Sequence, residues 1–255
     1  MFVDSHCHIN FPEFAADLEG VVAAMKSNAV THALCVSVNL ETLPQVLSIA
    51  ERYHNIFASV GVHPDNQGGE EPDIGRLLAL ARHPRVVAIG ETGLDYYRLE
   101  GDLEWQRDRF RCHIRAARES RKPLIIHTRE AAADTLQIMK EENAAECGGV
   151  MHCFTETQTV ADAAMEMNFF ISFSGIVTFK NALVLRTVAR GVPLEHMLIE
   201  TDSPYLTPVP YRGRTNQPAY VRFVAEEVAR VKGVSLEAVA TATTDNFFEL
   251  FKSAD

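Results

Sequence analysis

FVDSHCHIN, residues 2–10, is the stretch on which the fold turns. The apolar Phe2 and Val3 open a short strand, and the chain leaves it through two histidines, His6 and His8. Residues i and i+2 of a strand point to the same side, so both imidazoles can reach one metal ion while Cys7 points away and packs. Asp4 shares that alternation one step deeper, where it either orients a ligand imidazole or is a satisfied buried carboxylate. A His-x-His pair alone is a weak signal. Its weight depends on what the other strands carry at their ends.

Outward from this segment the same arrangement recurs. A stretch with helical spacing covers 12–29, with Leu18, Val21, Val22 and Met25 on one face. HALCVSV (32–38) is the next strand, and Leu43, Val46, Leu47 and Ala50 mark the next helix. IFASVGV (56–62) precedes a helix near 72–82, and VVAIGE (86–91) one near 102–120. PLIIH (123–127) precedes a helix near 130–143, and GVMHCF (149–154) one near 157–167. FFISF (169–173) precedes a helix near 180–190. MLIET (197–201) leads into a Pro-rich loop, 204–218, and then helices from about 217 onward. Eight strand-then-helix units require a parallel sheet, because each helix acts as a crossover. A closed (β/α)8 barrel of the TIM type takes about 250 residues, and this chain has 255. With no linker, repeat or low-complexity segment, residues 1–255 read as a single barrel domain. The alternative is an open, doubly wound sheet.

The strand ends favour the barrel, because barrel enzymes gather their reactive groups at the C-terminal ends of the strands. Strand one ends in His6 and His8, strand three in His63, strand four in Glu91, strand five in His127, strand six in His152 and strand eight in Asp202. The other five histidines, His32, His54, His83, His113 and His196, lie elsewhere and read as solvated or packed imidazoles. Imidazoles with carboxylates suit Zn, Mn, Fe or similar divalent ions. His6, His8, His127, His152, Glu91 and Asp202 are enough ligands for one or two ions, with Glu91 as the candidate bridge because strand four lies between the two groups of histidines. Such ions lower the pKa of a bound water to about 7 and offset charge on a phosphoryl or carbonyl oxygen. Asp202 is then the expected general base.

Composition bounds the rest. The chain is 47% apolar and 23% charged, an ordinary ordered balance, with 24 Lys and Arg against 34 Asp and Glu for a net charge of −10. An acidic protein repels polyanions at range, so a nucleic acid would have to be held locally. Five cysteines with no C-x-x-C argue against a disulfide framework and for a reducing compartment. No apolar run reaches the roughly 18 residues of a membrane span, and no signal peptide precedes Asp4. The expectation is a cytoplasmic monomer with no membrane association and no obligate protein partner.

The segments FVDSHCHIN (2–10), GVHP (61–64), GETGLDYY (90–97), KPLIIHTREAAADTL (122–136), GGVMHCF (148–154), ISFSGIVTFKNA (171–182), LIETDSPYLTPVPYRGRTNQPAYV (198–221) and TTDNFFELF (243–251) closely resemble the TatD family of metal-dependent deoxyribonucleases, with the YcfH-like branch nearest. The resemblance runs from residue 2 to about 251. It implies an amidohydrolase-like barrel, divalent metal ions (Mg, Mn or Zn) and hydrolysis of phosphodiester bonds in DNA, as an exonuclease. It assigns metal binding to His6, His8, Glu91, His127, His152 and Asp202, the residues already selected at the strand ends. The one departure noted is Arg214, where relatives often carry Lys; the charge is kept.

Four further residues are candidates for contact with a substrate phosphate. His63, beside Pro64, could hydrogen-bond a phosphate oxygen or leaving group, which makes it a catalytic candidate alongside Asp202 and Glu91. Arg129 could clamp a phosphate bidentately. Tyr205 and Arg212 lie in the loop after strand eight, a region that often binds phosphate in barrels. Tyr96 and Tyr97 could stack on bases. The same ligand set would also serve a hydrolase of a small ester, lactone, amide or phosphoester, since fold does not dictate substrate. A purely structural metal site is disfavoured, because such sites usually close with four ligands in which Cys predominates.

Overall fold

The computed structural model describes residues 1–252 except 98 and 100. Eight strands run in chain order through one parallel sheet: β1 (Phe2–Cys7), β2 (Val30–Cys35), β3 (Ile56–Val60), β4 (Val86–Asp95), β5 (Leu124–Arg129), β6 (Gly149–Met151), β7 (Phe169–Phe173) and β8 (Met197–Ile199). The sheet curls so that its first strand meets the chain leaving its last. Cys7 pairs with Ser203 in a parallel bridge, His8 N–H donates to Ser203 O (2.8 Å) and Asp202 N–H to His6 O (2.9 Å). This is the expected barrel, with an α-helix after each of its first seven strands: α1 (Leu18–Ser27), α2 (Leu43–Arg52), α3 (Ile74–Ala81), α4 (Glu104–Ser120), α5 (Ala132–Glu141), α6 (Gln158–Met165) and α7 (Leu183–Gly191). After β8 and the long loop come α8 (Val221–Lys232) and α9 (Leu236–Leu250).

Local chemistry sets the helix ends. Asp17, Asp73 and Ser235 accept from backbone N–H groups of the first turns of α1, α3 and α9, at 2.8, 2.7 and 3.1 Å. Gly233 ends α8 at φ 70°, a left-handed position that glycine takes without penalty. The main apolar core lies between strands and helices, with Leu43, Val46, Phe110, Ile114 and Val224 facing strand residues such as Ile56 and Ile89. A second cluster fills the lower barrel: Val3, Leu34, Val87, Ile125 and Leu198 point inward, and Phe247 and Phe251 from the end of the chain close the floor. With the floor packed by apolar side chains, polar groups can converge only at the opposite end. Among the described residues no helix is long and apolar enough to cross a membrane, and all five cysteines are free.

Candidate metal centre

Six strand ends deliver ionisable side chains to the C-terminal mouth. His6 lies in β1 with His8 just beyond it, Glu91 in β4 and His127 in β5. His63, His152 and Asp202 follow β3, β6 and β8. Glu91 sits between them. Its Oε2 is 3.4 Å from His6 Nε2 and 3.8 Å from His8 Nε2. Its Oε1 is 3.3 Å from His63 Nε2, 3.3 Å from His127 Nδ1 and 2.7 Å from His152 Nε2. Asp202 Oδ1 completes the first group, 3.3 Å from His8 Nε2 and 3.8 Å from His6 Nε2, and the two Nε2 atoms are 3.2 Å apart. Glu91 reaches this place because β4 runs hard against β5. A Cβ on Gly93 would lie 2.0 Å from His127 O, and one on Gly90 2.6 Å from Ile125 O, both at positive φ.

This donor set fits a cation. Four ligand atoms held tetrahedrally at about 2.0 Å from one ion lie about 3.3 Å from one another, and the separations around His6, His8 and Asp202 run from 3.2 to 3.8 Å. Three overlapping groups, His6–His8–Glu91, His6–His152–Asp202 and His63–Glu91–His127, each bring their donor atoms within 4.8 Å. His152 Nε2 is buried and close to Glu91, yet the two are not aligned to share a hydrogen bond. A buried nitrogen aimed at a carboxylate without a shared proton is matched by a positive ion.

Neighbouring groups hold the rings. His8 Nδ1–H donates to Val36 O (3.1 Å), His127 Nε2–H to Asp95 Oδ2 (3.1 Å), His152 Nδ1–H to Glu200 Oε1 (3.2 Å) and His63 Nδ1–H to Asp65. In each case the other ring nitrogen is left to face the cluster, which is how metal-binding histidines are oriented. Burial works against charge on His6, His8, His63, Glu91, His152 and Asp202. Even so, His152, His63 and His6 hold the Glu91 carboxyl well below the usual range, and His8 and His6 hold Asp202 below it. For His63, burial is outweighed by Glu91 and Asp65, which raise its pKa to about 9. Asp202 adopts φ 55°, a left-handed conformation uncommon outside glycine and found disproportionately at functional sites.

A family model described as TatD related DNase matches residues 3–252. The chain belongs to the TatD family. It is 48% identical over 252 residues to the metal-dependent hydrolase YcfH of Escherichia coli (strain K12), covering 98% of this chain and 95% of the relative. It is 32% identical over 254 residues to the 3'-5' ssDNA/RNA exonuclease TatD of Citrobacter rodentium (strain ICC168), covering 97% of each. The crystal structure of YJJV, a TatD homologue from Escherichia coli K12, superposes with a TM-score of 0.90 at 26% identity and 98% coverage of both chains. The protein is a metal-dependent hydrolase of this family.

In this TatD-family barrel the candidate ligands and His63 come together. The candidate phosphate contacts are more dispersed. Arg129 lies over the ring of exposed Tyr97 at 3.7 Å. Arg212 lies over Phe179 at 3.9 Å and donates to Thr207 O (2.9 Å), so its described contacts are with its own rim of loops and not with the imidazoles. Tyr205 stands 53% exposed at the mouth, and Tyr96 is turned aside, its hydroxyl donating to Asp134 (2.7 Å). Asp4 does not orient an imidazole ring. A register shift between Asp4 and Cys7 breaks the simple alternation, and its carboxylate instead accepts from Thr201 N (2.8 Å), Thr201 Oγ1 (2.5 Å) and His6 N (3.4 Å).

Three supports lie outside the strand-end pattern. Glu200, fully buried, backs His152, and the i, i+2 rule applied back from Asp202 would have pointed to it. Asp65 backs His63 from two residues on, inside the H-P-D run. The third is a polar stripe on α4. Gln106 exchanges hydrogen bonds with Asp95 N and O (2.9 and 3.1 Å), and Arg109 donates to His63 O (2.9 Å) and Asn66 O (2.8 Å). Below them His113 Nε2 accepts from Val62 N (3.0 Å). One helix face thus fixes the backbone on which His63 and Asp95 are carried.

Proposed function

We propose that this protein is a metal-dependent nuclease that hydrolyses phosphodiester bonds in DNA, releasing nucleotides from single-stranded ends. The observation that carries this reading is the placement of Glu91, whose Oε2 lies by His6 and His8 and whose Oε1 lies by His63, His127 and His152. A carboxylate between two such sets suits a pair of divalent ions, the arrangement that clamps both the attacking and leaving oxygens of a phosphoryl group. His6, His8 and Asp202 would hold one ion, His127 and His152 the other, and Glu91 both. Bound there, the ions supply a low-pKa water and offset charge on the phosphoryl oxygens. The name carried by the Citrobacter rodentium relative supports a single-stranded substrate and a 3′ end.

The chain's own residues do the rest. Asp202, kept anionic and 16% exposed, accepts the proton of the attacking water at its free carboxylate edge. His63, held protonated on Nδ1 by Asp65, presents Nε2 to the phosphoryl group or the leaving oxygen. Arg129, stacked on Tyr97 at the rim, is positioned to meet an incoming phosphate. The net charge of −10 favours one competing reading, a small neutral ester or lactone as substrate.

The test uses metal-loaded protein with single- and double-stranded DNA beside a panel of small esters and lactones. Mononucleotide release from single-stranded ends is expected. Asp202→Asn should lower that rate by about 10²–10⁴-fold with the thermal unfolding transition in place. Turnover of the small esters with no nucleotide release under Mg, Mn, Zn or Co would overturn the proposal.

A further inference from the structure

Two aromatic rings at the mouth are attached to the cluster in the same way. Phe11 follows His8 by three residues, and its N–H donates to His8 O (3.0 Å). Tyr205 follows Asp202 by three residues, and its N–H donates to Asp202 O (3.0 Å). Each ring therefore hangs from a candidate metal ligand by one tight turn. Closure of the barrel between β1 and the chain after β8 brings these two turns together. Phe11 lies nearly parallel to the His8 ring, with centroids 4.9 Å apart and planes at 16°. Tyr205 meets Phe11 at 6.3 Å and 70°. The two rings thus stand at an angle to one another beside the cluster, and Tyr205 is 53% exposed.

We infer that this corner is the seat of the terminal nucleobase of a single-stranded substrate, an inference that rests on the nuclease reading above. A base laid flat on one ring meets the other edge-on, and both arrangements are favourable for aromatic pairs. Stacking needs a π-face and no charge, so it is sequence-tolerant. It also suits a chain of net charge −10, which gains little from long-range attraction to phosphate. A duplex end, with its bases already stacked and paired, would not enter the corner without unpairing.

The test is a short single strand of DNA with 2-aminopurine as its 3′-terminal base and a phosphorothioate at the last linkage to slow cleavage. Binding to the metal-loaded wild type should quench the fluorophore, and Phe11→Ala and Tyr205→Ala should each relieve that quenching. On an ordinary strand each substitution should raise KM and lower kcat/KM about tenfold. A strand ending in an abasic nucleotide should already show that loss with the wild type, so that combining it with either substitution costs little more. Tyr205 is exposed, so Tyr205→Ala keeps the test valid even if Phe11→Ala unfolds. If the wild type cuts DNA while both folded variants quench and cut as it does, the corner is not the base seat and the nuclease reading stands. If the wild type neither binds nor cuts single strands, the nuclease reading fails and the base seat with it.

Discussion

On the Oε2 side of Glu91, two imidazoles leave one strand, and a single backbone carbonyl, Val36 O, steadies one of them. On the Oε1 side three imidazoles arrive from three different strands, and each leans on its own carboxylate: His63 on Asp65, His127 on Asp95 and His152 on Glu200. The contrast teaches how a barrel holds a cluster. Where donors share a strand, the pleat sets their spacing. Where each comes from its own strand end, a private partner must fix the ring. Such partners also make imidazole a stronger base and ligand, so the two sides should differ in how they hold an ion and in what disturbs them.

Glu91 is common to both sides, and its replacement is the largest blow. Glu91→Gln should lower turnover by on the order of a thousandfold or more and empty both halves of the centre. Metal analysis of the purified variant beside a rate assay checks this. A variant that keeps a full complement of ions would mean that the sides are independent of Glu91.

Acid should act on the Oε1 side from below. Burial drives the pKa of His113 down to about 4, and its neutral ring accepts from Val62 N, next to His63. The unfolded chain takes up this proton near pH 6.5 and the folded chain refuses it until about pH 4. The stabilisation is therefore complete above pH 6.5 and is lost as pH falls to 4, an amount of about 3 kcal/mol. Denaturant titrations at pH 7 and at pH 4 to 5 should show this loss, flattened in His113→Gln. An unchanged slope in that variant would assign the acid sensitivity to other groups.

The smallest effect is the most selective. Asp95→Asn and Glu200→Gln should weaken ion binding about 10- to 100-fold on the Oε1 side alone. Stepwise calorimetric titration of metal-stripped protein should show one binding event moving and the other staying. Equal weakening of both events would erase the proposed difference between the sides.

The architecture was legible because periodicity and strand ends are local properties. The strand at 169–173 is found at Phe169–Phe173, and the histidine-ended segments fall where the parallel sheet places them. Boundaries moved where pairing outran the apolar run. The strand read at 86–91 continues to Asp95, because Gly93 and Leu94 still pair with His127 and Thr128 of β5. The supports were harder to see. Gln106, Arg109 and His113 occupy one face of α4 at helical spacing, but polar residues on a helix read as solvent-facing until a loop backbone is found beneath them. For Asp4 the sequence left two readings open, and the structure has the second, a buried carboxylate satisfied by Thr201, beside a bulge in β1 that a rule of strict alternation does not show.

The seam between β1 and the chain after β8 also sets an order of events in time. Asp4 and Thr201, bonded across that seam, are 197 residues apart in sequence, and His6 and His8 wait on Asp202 over a similar distance. During synthesis both histidines emerge well before their carboxylate partner. The floor residues Phe247 and Phe251 arrive later still. A copy that stops short of Asp202 therefore carries the first pair of donors without the group that completes them.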